Sequence, residues 1–438
     1  MTAVPTSARL SRGTHLGYAL GSIATAAFGT VPGLLLLFYL TDVLGVAAGL
    51  AGVVVFAPKA WDVVLNPWIG SRSDRTDSRW GPRRPWMLAG GFALPPLFVL
   101  VFAGPGGSGA AIWVAVAFLL AATAYGCFQV PYVAQPAEIT DDAGERSTLI
   151  SWRVAALALG ILVAGAGAPA IVDAAGGGRA GYLAMAAFVA VLLAVGMLGA
   201  VAGTRRAPTL TRVTSEGRLG TTLRLAWRSR PYRVLLIGFV VQALGIGVML
   251  AGVPYYSTHV LGDESAGTLL FAALVGPAIL VMPLWLRVSR KLGKRAGLLM
   301  SSVLFALGAA ALALGKDGGT GAALLLVVLV GIGYAGMQMF PLAMLPDVIA
   351  ADEAASGQRR AGVFTGVWTA AETLGLAVGP GLLGLLLGVA GYVSSTGEEV
   401  VAQTSTAVTA VRLGFSVLPA VIVLAAVPIF ARYRLEDT

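Results

Sequence analysis

The chain has 438 residues, of which 57% are hydrophobic and 12% are charged, and its formal net charge is +9. Soluble domains carry about 25% charged residues, so this composition excludes an ordinary soluble enzyme, a secreted module and a disordered chain. The one cysteine, Cys127, permits no internal disulfide, and two histidines, His15 and His259, are too few for the usual metal-ligand set. We therefore expect an integral membrane protein with no metal cofactor.

Apolar stretches separated by Gly, Pro or charged clusters predict twelve membrane spans, since about 20 apolar residues cross a bilayer. In chain order the predicted spans cover residues 16–40, 46–70, 86–103, 110–134, 149–173, 181–203, 231–258, 266–288, 296–315, 320–345, 362–391 and 407–431. The first span is too long for the core of a signal peptide, so we expect it to remain in the mature protein. The expected fold class is an all-α membrane protein.

The basic residues predict the orientation of these spans, because cytoplasmic loops carry an excess of Lys and Arg. Of the 30 basic residues, 26 fall in the amino-terminal tail, in every second loop or in the carboxyl-terminal tail. Both termini are therefore predicted to be cytoplasmic, in a multi-pass protein of the cell membrane. The net charge of +9 then reflects topology, so the expected partners are the lipid bilayer and a small solute, and not nucleic acid.

The two halves of the chain contain matching segments. Tyr39–Gly45 at the end of helix 1 resembles Tyr256–Gly262 at the end of helix 7, and Trp80–Arg84 resembles Leu292–Arg295. Three residues of helix 4 have counterparts at an offset of 209 in helix 10; the pairs are Tyr125 and Tyr334, Gln129 and Gln338, and Glu138 and Asp347. Matches in the same order, with slowly changing offsets, indicate an internal repeat of six spans.

Two parallel repeats with a site between them at mid-membrane are the plan of many secondary transporters. We therefore predict a first six-helix bundle over residues 1–203, a cytoplasmic linker over 204–230 and a second six-helix bundle over 231–438. No phosphate-binding loop, metal motif or catalytic constellation occurs in the sequence, so we do not expect an enzyme.

Polar side chains inside the spans are candidate site residues, because a charge at the bilayer centre costs about 2.5–3.5 kcal/mol. Asp62 lies deep in span 2, and the spacing of the polar residues around it predicts that they share one helix face. The candidates for coupling a cation or proton are Asp62, Asn66 and Lys59, and those for binding substrate are Gln129, Arg153, Gln338, Trp368 and Glu372. Arg153 is expected to begin helix 5.

Several of these candidates also have a structural interpretation; Glu372, for example, can pair with a basic group of a neighbouring helix. Asp62 with Lys59 can form an ion pair that permits membrane insertion, and the two glutamines can form hydrogen bonds between helices. Arg153 can act as an anchor that extends to the cytoplasmic interface.

Four groups of motifs carry a resemblance to a known family. They lie in Tyr39–Asp42, Trp61–Trp86, Val130–Arg153 and Leu345–Trp368. Across these motifs, from span 1 to span 11, the chain resembles the major facilitator superfamily and, within it, the glycoside–pentoside–hexuronide:cation symporters, the melibiose-permease-like branch. The resemblance implies twelve helices in two parallel repeats, and symport of a cation with a sugar-like or glycoside-like solute by alternating access.

Charged residues of the loop after span 2 and of its neighbours can form charge-assisted hydrogen bonds that lock one state of the transport cycle. The predicted cytoplasmic gating residues are Asp74, Arg75, Arg79, Arg83, Arg84, Glu138, Arg146, Asp347 and Arg360. The alternative is that the arginines serve only as topology signals.

The sequence departs from the family pattern at the expected sites. Sodium-coupled members carry a second aspartate in helix 2 where this chain has Asn66, and their sugar-binding aspartates align with Ala26 and Gln129. A tryptophan and a lysine of that branch align with Val133 and Thr373. One carboxylate makes a poorer sodium site than two, because a hard cation prefers several oxygen ligands. We therefore expect proton coupling at Asp62, or uncoupled facilitation, rather than Na⁺ coupling.

Two alternatives stay open at this point. The loss of the sugar-binding aspartates favours a less hydroxylated solute, so an amphiphilic, lysolipid-like or drug-like substrate is the first alternative. A non-transporting receptor or scaffold on the same fold is the second. A monomer is expected in each case.

Overall fold

The computed structural model describes residues 10–140, 142–207, 227–314, 319–356, 361–396 and 401–434. Within these ranges every regular element is helical, and twelve segments are long and apolar enough to cross a membrane. The predicted all-α class with twelve spans is therefore confirmed.

Fourteen α-helices follow one another in the described ranges. They are α1 (Arg12–Val31), α2 (Ala48–Asp74), α3 (Arg84–Phe102), α4 (Ala110–Ile139), α5 (Ala143–Ala174), α6 (Gly178–Thr204), α7 (Arg230–Tyr256), α8 (Ala266–Val275), α9 (Pro277–Leu292), α10 (Lys294–Leu312), α11 (Gly319–Ser356), α12 (Ala361–Val389), α13 (Ser405–Phe415) and α14 (Val417–Ala431). Helices α8 and α9 together make one span, interrupted at Gly276, and α13 and α14 make another, interrupted at Ser416. Three π-helical segments continue α1 and α7; they are Pro32–Leu36, Tyr39–Val43 and Ser257–Leu261.

Several helices extend beyond their apolar stretches. Helix α4 continues to Ile139 and α11 to Ser356, past the predicted ends at 134 and 345. Helix α5 begins at Ala143, before the predicted residue 149, because the Asp142 side chain accepts a hydrogen bond from the backbone N–H of Glu145 at 2.7 Å. Arg153 therefore lies inside α5, and the prediction that it begins the helix is wrong.

The described residues form two compact units. The first consists of the described residues of Met1–Pro32 and Ala60–Glu216, and the second of the described residues of Gly33–Lys59 and Gly217–Thr438. Residues 33–59 thus pack with the second unit, although the repeat in the sequence assigns them to the first half. Of the predicted linker, residues 208–226 lie outside the described ranges.

The same helix pairings occur within each unit. In the first, α1 packs on α5 and α6, and α3 packs on α4 and α6. In the second, α7 packs on α12 and on α13 and α14, while α10 packs on α11 and α14. Several spans that correspond in the two halves of the sequence therefore make corresponding contacts within their units.

Aromatic side chains fill the centre of each unit. In the first, the Phe28 ring stacks on Tyr125 with centroids 4.4 Å apart, and in the second Phe239 stacks on Trp368 at the same distance. Large apolar side chains also lie on the outside of the helices, such as Ile112, Leu280 and Val389, which are 71%, 82% and 90% exposed. Such residues suit a surface in contact with lipid.

Two glycines allow α1 and α6 to touch within the first unit. A Cβ atom on Gly17 would lie 2.5 Å from the Cα atom of Gly203, which is closer than any real contact. A Cβ atom on Gly29, further along α1, would meet no atom within 4 Å. Gly17 and Gly29 are therefore a matched pair for substitution, one in close contact and one in open space on the same helix.

We expect Gly17→Ala to lower the free energy of unfolding by about 1–3 kcal/mol, because the added methyl group forces two backbones apart. Gly29→Ala is expected to raise it by about 0.4–1 kcal/mol, because alanine restricts the unfolded chain and fits the open space. Thermal unfolding of both purified variants in detergent measures the difference. Equal unfolding temperatures would contradict the close approach of α1 and α6.

Candidate functional site

A polar group in the first unit surrounds the middle of α2. Asp62 is 4% exposed, and it lies about 18 Å from one end of its helix and about 21 Å from the other. The Tyr125 hydroxyl on α4 interacts electrostatically with the Asp62 carboxylate and with the Arg153 guanidinium on α5. Three helices thus bring a carboxylate, a phenol and a guanidinium together.

Two amide side chains extend this group. A Cβ atom on Gly126 would lie 2.9 Å from the Asn66 Oδ1 atom, so the glycine lets α4 approach Asn66. The Oδ1 atom of Asn66 and the Oε1 atom of Gln129 are buried and accept no hydrogen bond from the described protein atoms. A buried acceptor with no hydrogen bond costs about 1–3 kcal/mol of stability. A ligand, water or ion that binds these two oxygens would recover that free energy.

Arg153 is held by an aromatic cluster. Its guanidinium carbon lies 5.8 Å from the centre of the Tyr132 ring, which stacks on Tyr18 with centroids 4.6 Å apart. The Tyr132 hydroxyl donates to the backbone carbonyl of Tyr18 at 2.6 Å and lies 2.7 Å from the Ser22 hydroxyl. This aromatic support for Arg153 could not be predicted, because its members are far apart along the chain.

Lys59, the third predicted coupling residue, is half-buried on α2. It precedes Asp62 by three residues and therefore shares its helix face, as predicted. Its role in coupling stays a prediction.

The second unit contains a smaller group with a tyrosine, a glutamine and a carboxylate. The Gln338 side chain donates to the Tyr334 hydroxyl at 3.1 Å, and Glu372 on α12 lies within electrostatic range of that hydroxyl. A Tyr-x-x-x-Gln segment beside a carboxylate therefore occurs once in each unit. Tyr125 and Tyr334 were visible in the sequence repeat, but only the structure brings them to Asp62 and Glu372.

Trp368 lies in the core of the second unit. It is 2% exposed, it stacks on Phe239, and its Nε1–H is buried with no acceptor among the described residues. Stacking of Trp368 on a substrate stays a prediction, and it would require a movement that uncovers the ring.

The predicted gating loop is organised by Arg83. This side chain is 9% exposed and contacts the Asp74 carboxylate, the Glu138 carboxylate at 2.7 Å and the Ser73 hydroxyl at 2.6 Å. It therefore joins the end of α2 to the end of α4. Gly81, two residues earlier, has φ +85°, a conformation that glycine adopts without strain.

The second unit repeats this arrangement with a lysine. The Lys294 ammonium group donates to the Asp347 carboxylate at 2.6 Å and to the Ala343 carbonyl at 2.9 Å, and Gly293 before it also has φ +85°. Burial, and secondarily the Asp347 carboxylate, raise the pKa of the neighbouring Tyr433 to about 12. Asp347 thus has a basic partner, as Glu138 does in the first unit.

A second basic residue caps a helix in each unit. Arg84 donates to the Thr204 carbonyl at 2.8 Å, at the end of α6, and Arg295 donates to the Ala431 carbonyl at the end of α14. A cation at a helix carboxyl terminus is favourable, because it meets free carbonyls and the negative end of the helix dipole.

The other predicted gating residues have separate positions. Arg75 is exposed, and Arg79 lies over the Trp80 ring at 5.0 Å. Arg146 donates to the Thr140 carbonyl at 3.0 Å, which ties the start of α5 to the end of α4. Arg360 lies outside the described residues.

Known proteins resemble the chain over nearly its whole length. The family model described as MFS/sugar transport protein matches residues 17–437. The chain is 26% identical to the inner membrane symporter YicJ of Escherichia coli (strain K12), over 97% of this chain and 92% of that protein. It is also 26% identical to the isoprimeverose transporter of Lactiplantibacillus pentosus, over 95% and 86% respectively. The crystal structure of a D-xylose-proton symporter has the same fold, with a TM-score of 0.66, 15% identity and 97% coverage of both chains.

Proposed function

The chain belongs to the MFS/sugar transport protein family, whose members are transporters and not enzymes, and on that premise we propose that it is a proton-coupled symporter of a sugar-like or glycoside-like solute. It works by alternating access as a monomer in the cell membrane. Both termini and the basic loops face the cytoplasm, in keeping with the distribution of arginine and lysine.

The observation that carries the proposal is the single buried carboxylate at the middle of α2. Asp62 is 4% exposed, and the position one turn later holds the neutral amide of Asn66. A buried carboxylate is costly when charged, so binding one proton removes that cost. A sodium ion prefers several charged or strongly polar oxygens, and one carboxylate with one amide oxygen supplies fewer of them.

A hydroxylated substrate suits the other polar groups. Gln129 and Arg153 in the first unit, and Gln338 and Glu372 in the second, supply hydrogen-bond donors and acceptors of the kind that bind sugar hydroxyls. A relative that is named for transport of isoprimeverose supports the same substrate class.

The proposal is tested in liposomes that contain a pH-sensitive dye and the purified protein. Pentoses and glycosides are added outside, and the expected result is solute-dependent acidification of the interior. We expect Asp62→Asn to abolish uptake against a gradient while exchange of labelled for unlabelled solute continues, because only proton binding is lost. Asp77→Asn is the matched control, since Asp77 is an exposed carboxylate in the loop after α2.

The remaining outcomes contradict specific parts of the proposal. Uptake that requires Na⁺ and ignores the pH gradient would exclude proton coupling. Responses to lysolipids or drug-like amphiphiles alone would exclude the sugar class, and binding without flux would indicate a receptor on the same fold.

A further inference from the structure

The ends of α1 and α7 carry matched π-helical turns in the second unit. The turns are Tyr39–Val43 and Ser257–Leu261, and π-helical turns occur often at functional positions. Asp42 and His259 occupy the same place in the repeated segments Tyr39–Gly45 and Tyr256–Gly262. The repeat thus presents a carboxylate from one turn and an imidazole from the other.

These two side chains meet around a third. The Nε2 atom of His259 lies 3.3 Å from Asp42 Oδ1, and the Tyr392 hydroxyl lies 2.5 Å from Asp42 Oδ1 and 2.6 Å from His259 Nε2. Burial, and secondarily the Asp42 and Tyr255 groups, raise the pKa of Tyr392 well above its ordinary value. Tyr392 is therefore protonated and donates to Asp42, and its oxygen lies within hydrogen-bond distance of the imidazole Nε2 atom.

Backbone and hydroxyl groups add to this contact. The Ser395 N–H donates to the Thr41 carbonyl at 2.9 Å, and the Ser395 hydroxyl donates to the Asp42 carbonyl at 2.8 Å. The Ser394 hydroxyl donates to the Val46 carbonyl at 2.7 Å. The end of the first span is therefore bound, by side chain and backbone, to the segment that follows α12.

The cluster is buried, although it is separate from the polar groups at mid-membrane. Asp42 and the His259 side chain are 9% and 5% exposed. Burying an ion pair costs several kcal/mol per ion, so such pairs often serve specificity or switching more than stability. The cluster also binds residues 33–59, which belong to the first half by sequence but pack with the second unit.

We propose that Asp42, Tyr392 and His259 form a latch that holds residues 33–59 to the rest of the second unit, opens in each transport cycle, and closes more tightly in acid. The inference depends on the proposed transport function for its place in a cycle. By the proposed orientation the latch lies at the extracytoplasmic end, because α1 and α7 both begin at basic residues and end at the latch.

The response to pH follows from the groups around the imidazole. Tyr255 and Tyr256 lie on α7, Asp263 follows in the loop, and Arg412 lies on α13, which packs against Ser257–Leu261. Arginine stays charged at every working pH, and imidazole is the side chain that changes charge near neutrality. An imidazolium attracts the Asp42 carboxylate, so protonation of the imidazole by external acid strengthens the latch.

The latch is tested by labelling of a cysteine at Leu37, which is 1% exposed and lies one turn before Thr41. Leu37→Cys is placed in a Cys127→Ala background, and right-side-out vesicles are treated with a membrane-impermeant maleimide, without solute or gradient. We expect slow labelling at pH 6 and faster labelling at pH 8. Tyr392→Phe and His259→Gln are expected to raise the rate at pH 6 about tenfold, as for loss of about 1.4 kcal/mol.

Ser108→Cys in the same background is the matched control. Ser108 is exposed in the loop between α3 and α4, so its labelling rate corrects for the ionisation of the thiol with pH. Equal corrected rates at pH 6 and pH 8 in the parent, or no effect of Tyr392→Phe, would overturn the latch. Asp62→Asn is expected to leave the pH response of Leu37→Cys unchanged, so a failure of proton coupling at Asp62 is distinguishable from a failure of the latch.

Discussion

Arg83→Gln is expected to lower the free energy of unfolding by about 2 kcal/mol and to abolish solute uptake. Breaking a buried ion pair costs about 3–5 kcal/mol, because the remaining charge has no partner. The Asp74 and Glu138 side chains are 30% and 19% exposed, so water screens part of that cost. Thermal unfolding in detergent and uptake in liposomes measure the two effects.

Arg79→Gln is the matched control for this variant. Arg79 is exposed and contacts the Trp80 ring, so we expect a change within about 0.5 kcal/mol and normal uptake. Arg83→Lys is expected to recover part of the stability, because one ammonium group cannot reproduce the fork that reaches two carboxylates. If Arg83→Gln behaves like Arg79→Gln, the arginines of this loop serve only as topology signals.

Lys294→Gln provides an internal comparison. The Lys294–Asp347 pair is 38% and 39% exposed, so its loss is expected to cost only about 0.2–1 kcal/mol. The loops that contain Arg83 and Lys294 share a sequence pattern and a conformation. Because the Arg83 ion pairs are more deeply buried, we expect Arg83 to contribute more to stability than Lys294.

The span pattern and the repeat could be predicted because they are properties of the linear sequence. Hydropathy marks the helices, and matching residues mark the two halves. The extension of α4 to Ile139 and of α11 to Ser356 could not be predicted in the same way, because those segments are amphipathic or polar. Asp142 illustrates the reason, since a capping side chain rather than hydropathy decides where α5 begins.

The candidate site shows a different limit. Asp62 stands out in the sequence because charges are rare inside the spans, and the structure places it among polar partners. Arg83 is one of several arginines in its loop, so only the structure shows that it is the one with two carboxylate partners. An aromatic residue in a span looks the same whether it faces a cavity or a core, so the burial of Trp368 required a structure. The proposed latch could not be predicted, because Tyr392 is 350 residues from Asp42 along the chain and only the structure brings the two side chains together.

Asn66→Asp is expected to give uptake that Na⁺ stimulates about tenfold over K⁺. Asn66 lies one turn after Asp62, and its buried Oδ1 atom accepts no hydrogen bond from the described protein atoms. The substitution keeps the shape of the side chain beside Gly126 but supplies a second carboxylate to a hard cation. Two buried carboxylates one turn apart repel each other, and a bound Na⁺ removes that repulsion.

Comparing Asn66→Asp with Asn66→Ala shows whether stimulation by Na⁺ comes from the added carboxylate or from loss of the amide. The alanine variant removes the amide oxygen without adding charge, so its uptake is expected to remain independent of Na⁺. Saturating Na⁺ is expected to stabilise only the aspartate variant against heat, by about 2.7 kcal/mol at a hundred times the dissociation constant. A folded Asn66→Asp protein with equal uptake and equal stability in Na⁺ and K⁺ would show that a second carboxylate at this position does not make a sodium site, and that the missing aspartate is not what separates this chain from its sodium-coupled relatives.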